Sequence, residues 1–179
     1  MSDRYRPEVD TSEESESTLR PLSEIKGRAI MSLAEGQKLG QVDDILIDRE
    51  HMRVSGVAVS KGGILDRERK IIPAGSITTW GKDALLVQDS SVLQTGAEHP
   101  ERENWITPVS RLKGMSIVST SGNRLGQIDD LLVDQEGRIA AYRVSEGRFG
   151  RGREIPSRGT KSIGVDAVIM ETVEEDVLP

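Results

Sequence analysis

The residues able to do chemistry fall into two sets. One is carboxylate: Asp43 and Asp44 with Asp48 close behind, and Asp129 and Asp130 with Asp134 close behind. Paired carboxylates can share a proton or hold a hard cation, which makes Asp44, Asp48, Asp130 and Asp134 candidates for a proton relay. Adjacent residues on a strand point to opposite faces, however, so the two members of a pair cannot enter one site. The oxygen-rich loop spacing of a calcium site is also missing. The competing use is local, with each pair accepting from backbone N–H groups of a turn at a strand end.

The second set is cationic. Residues 61–70 (KGGILDRERK) surround Ile64 and Leu65 with Lys61, Arg67, Arg69 and Lys70, and residues 146–154 (EGRFGRGRE) surround Phe149 with Arg148, Arg151 and Arg153. Apolar side chains at a glycine-flanked tip rimmed by cations suit an apolar groove on a protein partner or an anionic membrane face. Ile64, Leu65, Arg67, Arg69, Arg148, Phe149, Arg151 and Arg153 are therefore the partner-binding candidates. The GRFGRGR run also resembles a fragment of an arginine-glycine RNA-binding segment. The competing reading folds Ile64, Leu65 and Phe149 back over a barrel mouth and leaves the cations solvated.

No catalytic constellation assembles around these residues. Cysteine is absent and the two histidines are far apart, His51 in the turn where the second copy has Gly137 and His99 in a linker. With no serine elbow and no glycine-rich phosphate loop after a strand, the expectation is a protein that is not an enzyme and carries no metal or cofactor. A net charge of -6 argues against broad electrostatic binding to nucleic acid, so a protein partner is the stronger expectation.

The elements that position both sets are duplicated. LGQVDDILID at 39–48 recurs as LGQIDDLLVD at 125–134, and the likeness extends outwards on both sides. Leu22, Ser23, Ile25, Lys26 and Gly27 answer Val109, Ser110, Leu112, Lys113 and Gly114, while Ile72-Pro73 answers Ile155-Pro156. Such a repeat predicts two copies of one small domain. Within the first copy, alternation and turn residues predict strands over 28–32, 41–48, 54–60, 70–72, 77–80 and 84–88 and no long helix. The unbroken apolar stretch Ile45, Leu46 and Ile47 after Val42 predicts a bulge, or burial on both faces.

The expected organisation is an acidic disordered tail over 1–19, repeat 1 over 20–92, a linker over 93–106, repeat 2 over 107–173 and an acidic tail over 174–179. The terminal segments hold too little apolar surface to offset the entropy of ordering. Each copy is near the lower size limit for a free-standing core, and with only 3% aromatics it must be built from Val, Ile and Leu. Such thin cores are expected to lean on each other or on a partner. Trp80 is expected to cover a barrel end and Trp105 to pin the linker. No apolar run approaches the ~20 residues of a spanning helix, which predicts a cytoplasmic protein, peripheral if it meets a membrane.

The lead-in L-S-x-[IL]-x-G, the L-G-x-[VI]-x-D-[IL]-[IL]-[IV]-D strand, the alternating strand, the basic loop and the Ile-Pro closing segment together resemble the PRC-barrel domain. The resemblance covers about 20–90 and 107–172 and implies an all-β protein of two tandem small β-barrels. It implies a docking or scaffold subunit on the cytoplasmic face of an integral membrane complex, like the cytoplasmic domain of the photosynthetic reaction centre H subunit, with partners among reaction centre subunits and carboxylates passing protons towards a quinone. A ribosome-maturation or RNA-processing adaptor, and a stress or cell-division adaptor assembling through barrel pairing, are the other jobs the resemblance leaves open.

Overall fold

The computed structural model describes residues 19–61, 70–95, 106–147, 150 and 152–171. The first repeat contains β1 (Arg20–Pro21), β2 (Ala29–Ser32), β3 (Lys38–Asp48), β4 (Arg53–Ser60), β5 (Lys70–Pro73), β6 (Ile77–Trp80), β7 (Ala84–Val87) and β8 (Gln94–Thr95). The second contains β9 (Ile106–Pro108), β10 (Ser116–Ser119), β11 (Arg124–Val133), β12 (Ile139–Ser145), β13 (Arg153–Pro156), β14 (Thr160–Ile163) and β15 (Ala167–Met170). Among the described residues the only helical turns are short 3-10 segments, so the protein is all-β.

Each repeat builds one sheet in the same order. In the first it runs β6-β7-β2-β3-β4-β5-β8, and in the second β13-β12-β11-β10-β15-β14 repeats the same neighbours from the opposite end. All pairings are antiparallel except β2 with β7 and β10 with β15, each joining the first and last strands of the repeated unit. The acidic tails expected over 1–19 and 174–179 lie outside the described residues, save for Leu19, as does Trp105.

The long strands β3 and β11 are where local sequence decides most. In β3 the pairing with β4 passes from Val42–Val59 to Asp44–Ala58, which makes Asp43 an extra residue; Asp129 is the extra residue in β11. A second irregularity leaves Ser55 and Ala140 extra on the partner strands. Each bulge shifts the inward-outward alternation by one. Ile45, Leu46 and Ile47 are all buried, and so are their counterparts Leu131, Leu132 and Val133, so the bulge and burial on both faces occur together.

β3 begins earlier than the sequence pattern suggests, at Lys38 rather than Gln41. The hairpin closes within 33–37, where Gly36 N–H donates to Ser32 and Ser32 N–H to Gln37. The strand then continues through Gly40, whose φ of 158° lets it bend towards β4; Gly126 occupies the same place at 146°. A side chain on Gly40 would meet the Ser60 carbonyl and a Val59 methyl, each at 2.7 Å, whereas on Gly126 the nearest atom is the Ser145 carbonyl at 3.0 Å. That close approach is why the repeated motif carries glycine.

Buried side chains from both repeats form one contiguous cluster, from Leu22 and Ile30 through Ile47 and Ile72 to Ile117, Tyr142 and Val168. Tyr142 is the aromatic exception in this aliphatic core. Its hydroxyl lies 2.9 Å from Thr160 Oγ1, and burial pushes its pKa up to about 12 despite that bond.

Gly40→Ala combines the left-handed φ with two hard contacts and should destabilise the protein by about 3 kcal/mol, while Gly126→Ala, with more room, should cost about 1 to 2 kcal/mol. Urea unfolding of the two variants checks the order.

Candidate functional site

The feature that organises the molecule is a reciprocal exchange of lead-in segments. Pro21 in the lead-in of the first repeat pairs with Leu132 of β11, and Arg20 with Val133. In return Pro108, Thr107 and Ile106 of β9 pair with Leu46, Ile47 and Asp48 of β3. Each lead-in then makes one 3-10 turn, Leu22–Glu24 or Val109–Arg111, packed on the other repeat's long strand. It returns to its own repeat at Gly27, which donates to Val42, and at Gly114, which donates to Ile128.

Apolar anchors and a polar latch hold each crossing. Leu22 and Ile25 in one lead-in, Val109 and Leu112 in the other, are all buried. Burying such side chains contributes roughly 1.5–3 kcal/mol each, so the four supply most of the attraction. The latch is a buried carboxylate, Asp44 or Asp130, each only 5% exposed. Asp44 Oδ1 accepts from its own neighbour's amide, Ile45 N, at 2.9 Å and from Ser110 N at 3.3 Å, and Asp44 Oδ2 accepts from the Ser110 hydroxyl. Asp130 does the same with Leu131 N at 2.9 Å, Ser23 N at 3.2 Å and the Ser23 hydroxyl.

These carboxylates do serve backbone N–H groups, but not in a turn at a strand end. They sit mid-strand at the bulge, and besides the next amide of their own strand they hold an amide and a hydroxyl of the other repeat. Their outward neighbours differ: Asp43 is half-buried, and Asp129 is exposed and accepts from the Ser145 hydroxyl at 3.0 Å. The serines are the residues that sequence reasoning did not single out. The signal was present, because Ser23 and Ser110 recur at one place in the lead-in just as Asp44 and Asp130 recur in the strand.

Asp48 and Asp134 are the turn-capping carboxylates. Asp48 accepts from Glu50 N at 2.9 Å and His51 N at 3.0 Å, and its second oxygen is 2.7 Å from His51 Nδ1. Asp134 accepts from Glu136 N at 3.0 Å, Arg138 N at 2.9 Å and Arg138 Nε at 2.9 Å. Partial burial pushes both carboxyls up, but the amide bonds and the facing His51 or Arg138 outweigh it and hold both below the usual range. The counterpart of Gly137 in the first repeat is Met52 rather than His51: Met52 takes φ 49° where Gly137 has 75°, and the two carbonyls do the same work. Val54 N donates to Gly137 O and Ile139 N to Met52 O, both at 2.8 Å, bringing Arg53 and Arg138 opposite each other. This small bridge is the centre of a pseudo-twofold relation between the repeats.

Of the partner-binding candidates, Ile64, Leu65, Arg67, Arg69, Arg148, Phe149 and Arg151 lie outside the described residues. The two loops that carry them leave equivalent hairpins, β4 to β5 and β12 to β13. Arg153 is half-buried at the base of the second, where it donates to Leu125 O at 2.6 Å and faces Glu146 at 3.4 Å. Trp80 is half-buried against the core at the end of β6. Among the described residues no three His, Asp or Glu side chains come together as metal ligands, and no helix is long and apolar enough to cross a membrane.

A family model described as PRC-barrel domain matches residues 18–94 and again 108–177. No curated protein matches the chain.

Removing a latch strands buried donors on both repeats. Asp44→Ala should cost about 3 kcal/mol and Ser110→Ala about 1 kcal/mol. In a double-mutant cycle Asp44 should couple to Ser110 by about 1 kcal/mol and to Ser23 by about zero, a pattern that within-repeat latching would reverse.

Proposed function

Because the chain belongs to the PRC-barrel family, in two tandem copies, we propose that it is a non-catalytic docking subunit whose two repeats act as one rigid body. PRC-barrel domains are generally non-catalytic, which supports a protein-interaction or scaffold role. The observation that carries the reading is the reciprocal exchange of lead-ins, which joins the equivalent hairpins β4–β5 and β12–β13 into one unit.

A partner that engages both loops gains from the fixed spacing. The second contact becomes intramolecular once the first is made, and a rigid spacer loses less entropy than a flexible one. In this reading Asp44 and Asp130 hold the two repeats together while Asp48 and Asp134 cap their own turns, engaged by amide and hydroxyl donors, a histidine ring or an arginine.

The partner we favour is an integral membrane complex met from its cytoplasmic side, by resemblance to the cytoplasmic domain of the reaction centre H subunit. Attachment is peripheral and runs through the apolar residues Ile64, Leu65 and Phe149 with their flanking arginines. The test is native membrane fractionation with cross-linking. The expected result is recovery with an integral complex, lost when Ile64, Leu65 and Phe149 are replaced by Ser. Recovery with ribosomal or RNA-processing proteins instead, sensitive to salt and to loss of Arg148 and Arg151, would contradict it and favour an RNA-processing adaptor.

A further inference from the structure

Every contact of the exchange joins a residue within 19–95 to one within 106–171. These are the pairing of β1 with β11 and of β9 with β3, the Ser23–Asp130 and Ser110–Asp44 latches, and the Arg53–Arg138 bridge with its two amide bonds. Arg49 adds a bond from its guanidinium to Ile163 O at 3.2 Å. None of these contacts depends on the two repeats being covalently joined. Repeat 1 offers one donor lead-in and one acceptor edge, repeat 2 offers the same, and the only covalent link between them is the stretch 96–105.

We propose that this surface is exchangeable, and that the partner it fits is a second copy of this chain. Repeat 1 of one molecule takes repeat 2 of another, and the remaining two repeats do likewise, giving a closed dimer of two composite bodies. Each composite body makes the described contacts of the monomer, so the two forms differ in which chain supplies each repeat and in the entropy of association. Tethering the two repeats in one chain acts like an effective concentration on the order of millimolar, so the monomer dominates in dilute solution and exchange is captured when chains fold in concentrated solution. The reciprocal geometry closes the pair, because each chain's donor and acceptor are both used. A dimer formed this way carries four basic-apolar loops where the monomer carries two.

The Arg53–Arg138 bridge supplies the probe. The amide bonds flank the pair rather than join it, which makes it a non-hydrogen-bonded antiparallel pair with Cα atoms about 4.5 Å apart. That spacing suits a disulfide, and the chain has no cysteine of its own to interfere. Arg53→Cys and Arg138→Cys, made as separate full-length chains, are mixed, refolded together at high concentration and oxidised. The expected product is a cross-linked pair of unlike chains, in about half of the dimers by random assortment, with light scattering showing the dimer mass. Like chains cannot bring their cysteines opposite each other and should not cross-link above background. The double variant refolded in dilute solution should close its bond within one chain. Monomers alone after concentrated refolding, unlike and like pairs in equal yield, or a double variant that stays reduced would each overturn the proposal.

Discussion

The constraint on which the structure depends is an unfinished strand edge. β3 runs past its hairpin partner β2, so beyond Val42 one edge of the strand has backbone groups that the rest of its own repeat does not pair. Buried backbone polar groups must find partners, and exposed strand edges invite unwanted pairing. The second repeat's lead-in fills this edge, and the first repeat's lead-in fills the matching edge of β11. Between the two neighbours of each long strand there is a gap, and the bulge turns Asp44 or Asp130 into it to meet a serine from across the interface.

Strength and specificity are divided in this arrangement. Leu22, Ile25, Val109 and Leu112 supply the larger share of the free energy, but apolar contact is non-directional and would tolerate sliding. A carboxylate that accepts from an amide and a hydroxyl at once fixes register, because a one-residue slip would leave a charge buried without its donors. Small cores poor in aromatics gain most from such an arrangement. Merged, the two repeats bury one continuous cluster that neither has the length to build alone.

Much of this was legible in the sequence. The duplicated decapeptide gave the repeat, alternation gave the strands from β4 to β7 within a residue or two, and the apolar run from Ile45 to Ile47 gave the bulge. The crossing of the lead-ins was not legible, since identical motifs in both copies send the same local signals whether each lead-in docks on its own repeat or on the other. Only distances between Ser110 and Asp44, rather than Ser23 and Asp44, decide that. For the same reason the second Asp of each pair reads as a turn residue: besides its own next amide, its N–H partner is 66 positions away for Asp44 and 107 for Asp130. Met52 rather than His51 stands opposite Gly137 because the first repeat has one more residue in this turn, and a methionine at positive φ breaks the usual correspondence between glycine and that conformation.

A rigid two-repeat body is what gives the docking proposal its physical basis, so the most direct measurement is the cooperativity of unfolding. Calorimetry of the intact chain should show one transition, with the van't Hoff enthalpy equal to the calorimetric enthalpy, because neither repeat keeps its lead-in cover once the other melts. Two separate transitions, or a calorimetric enthalpy about twice the van't Hoff value, would mean that the repeats fold independently and that the exchanged lead-ins do not hold them together.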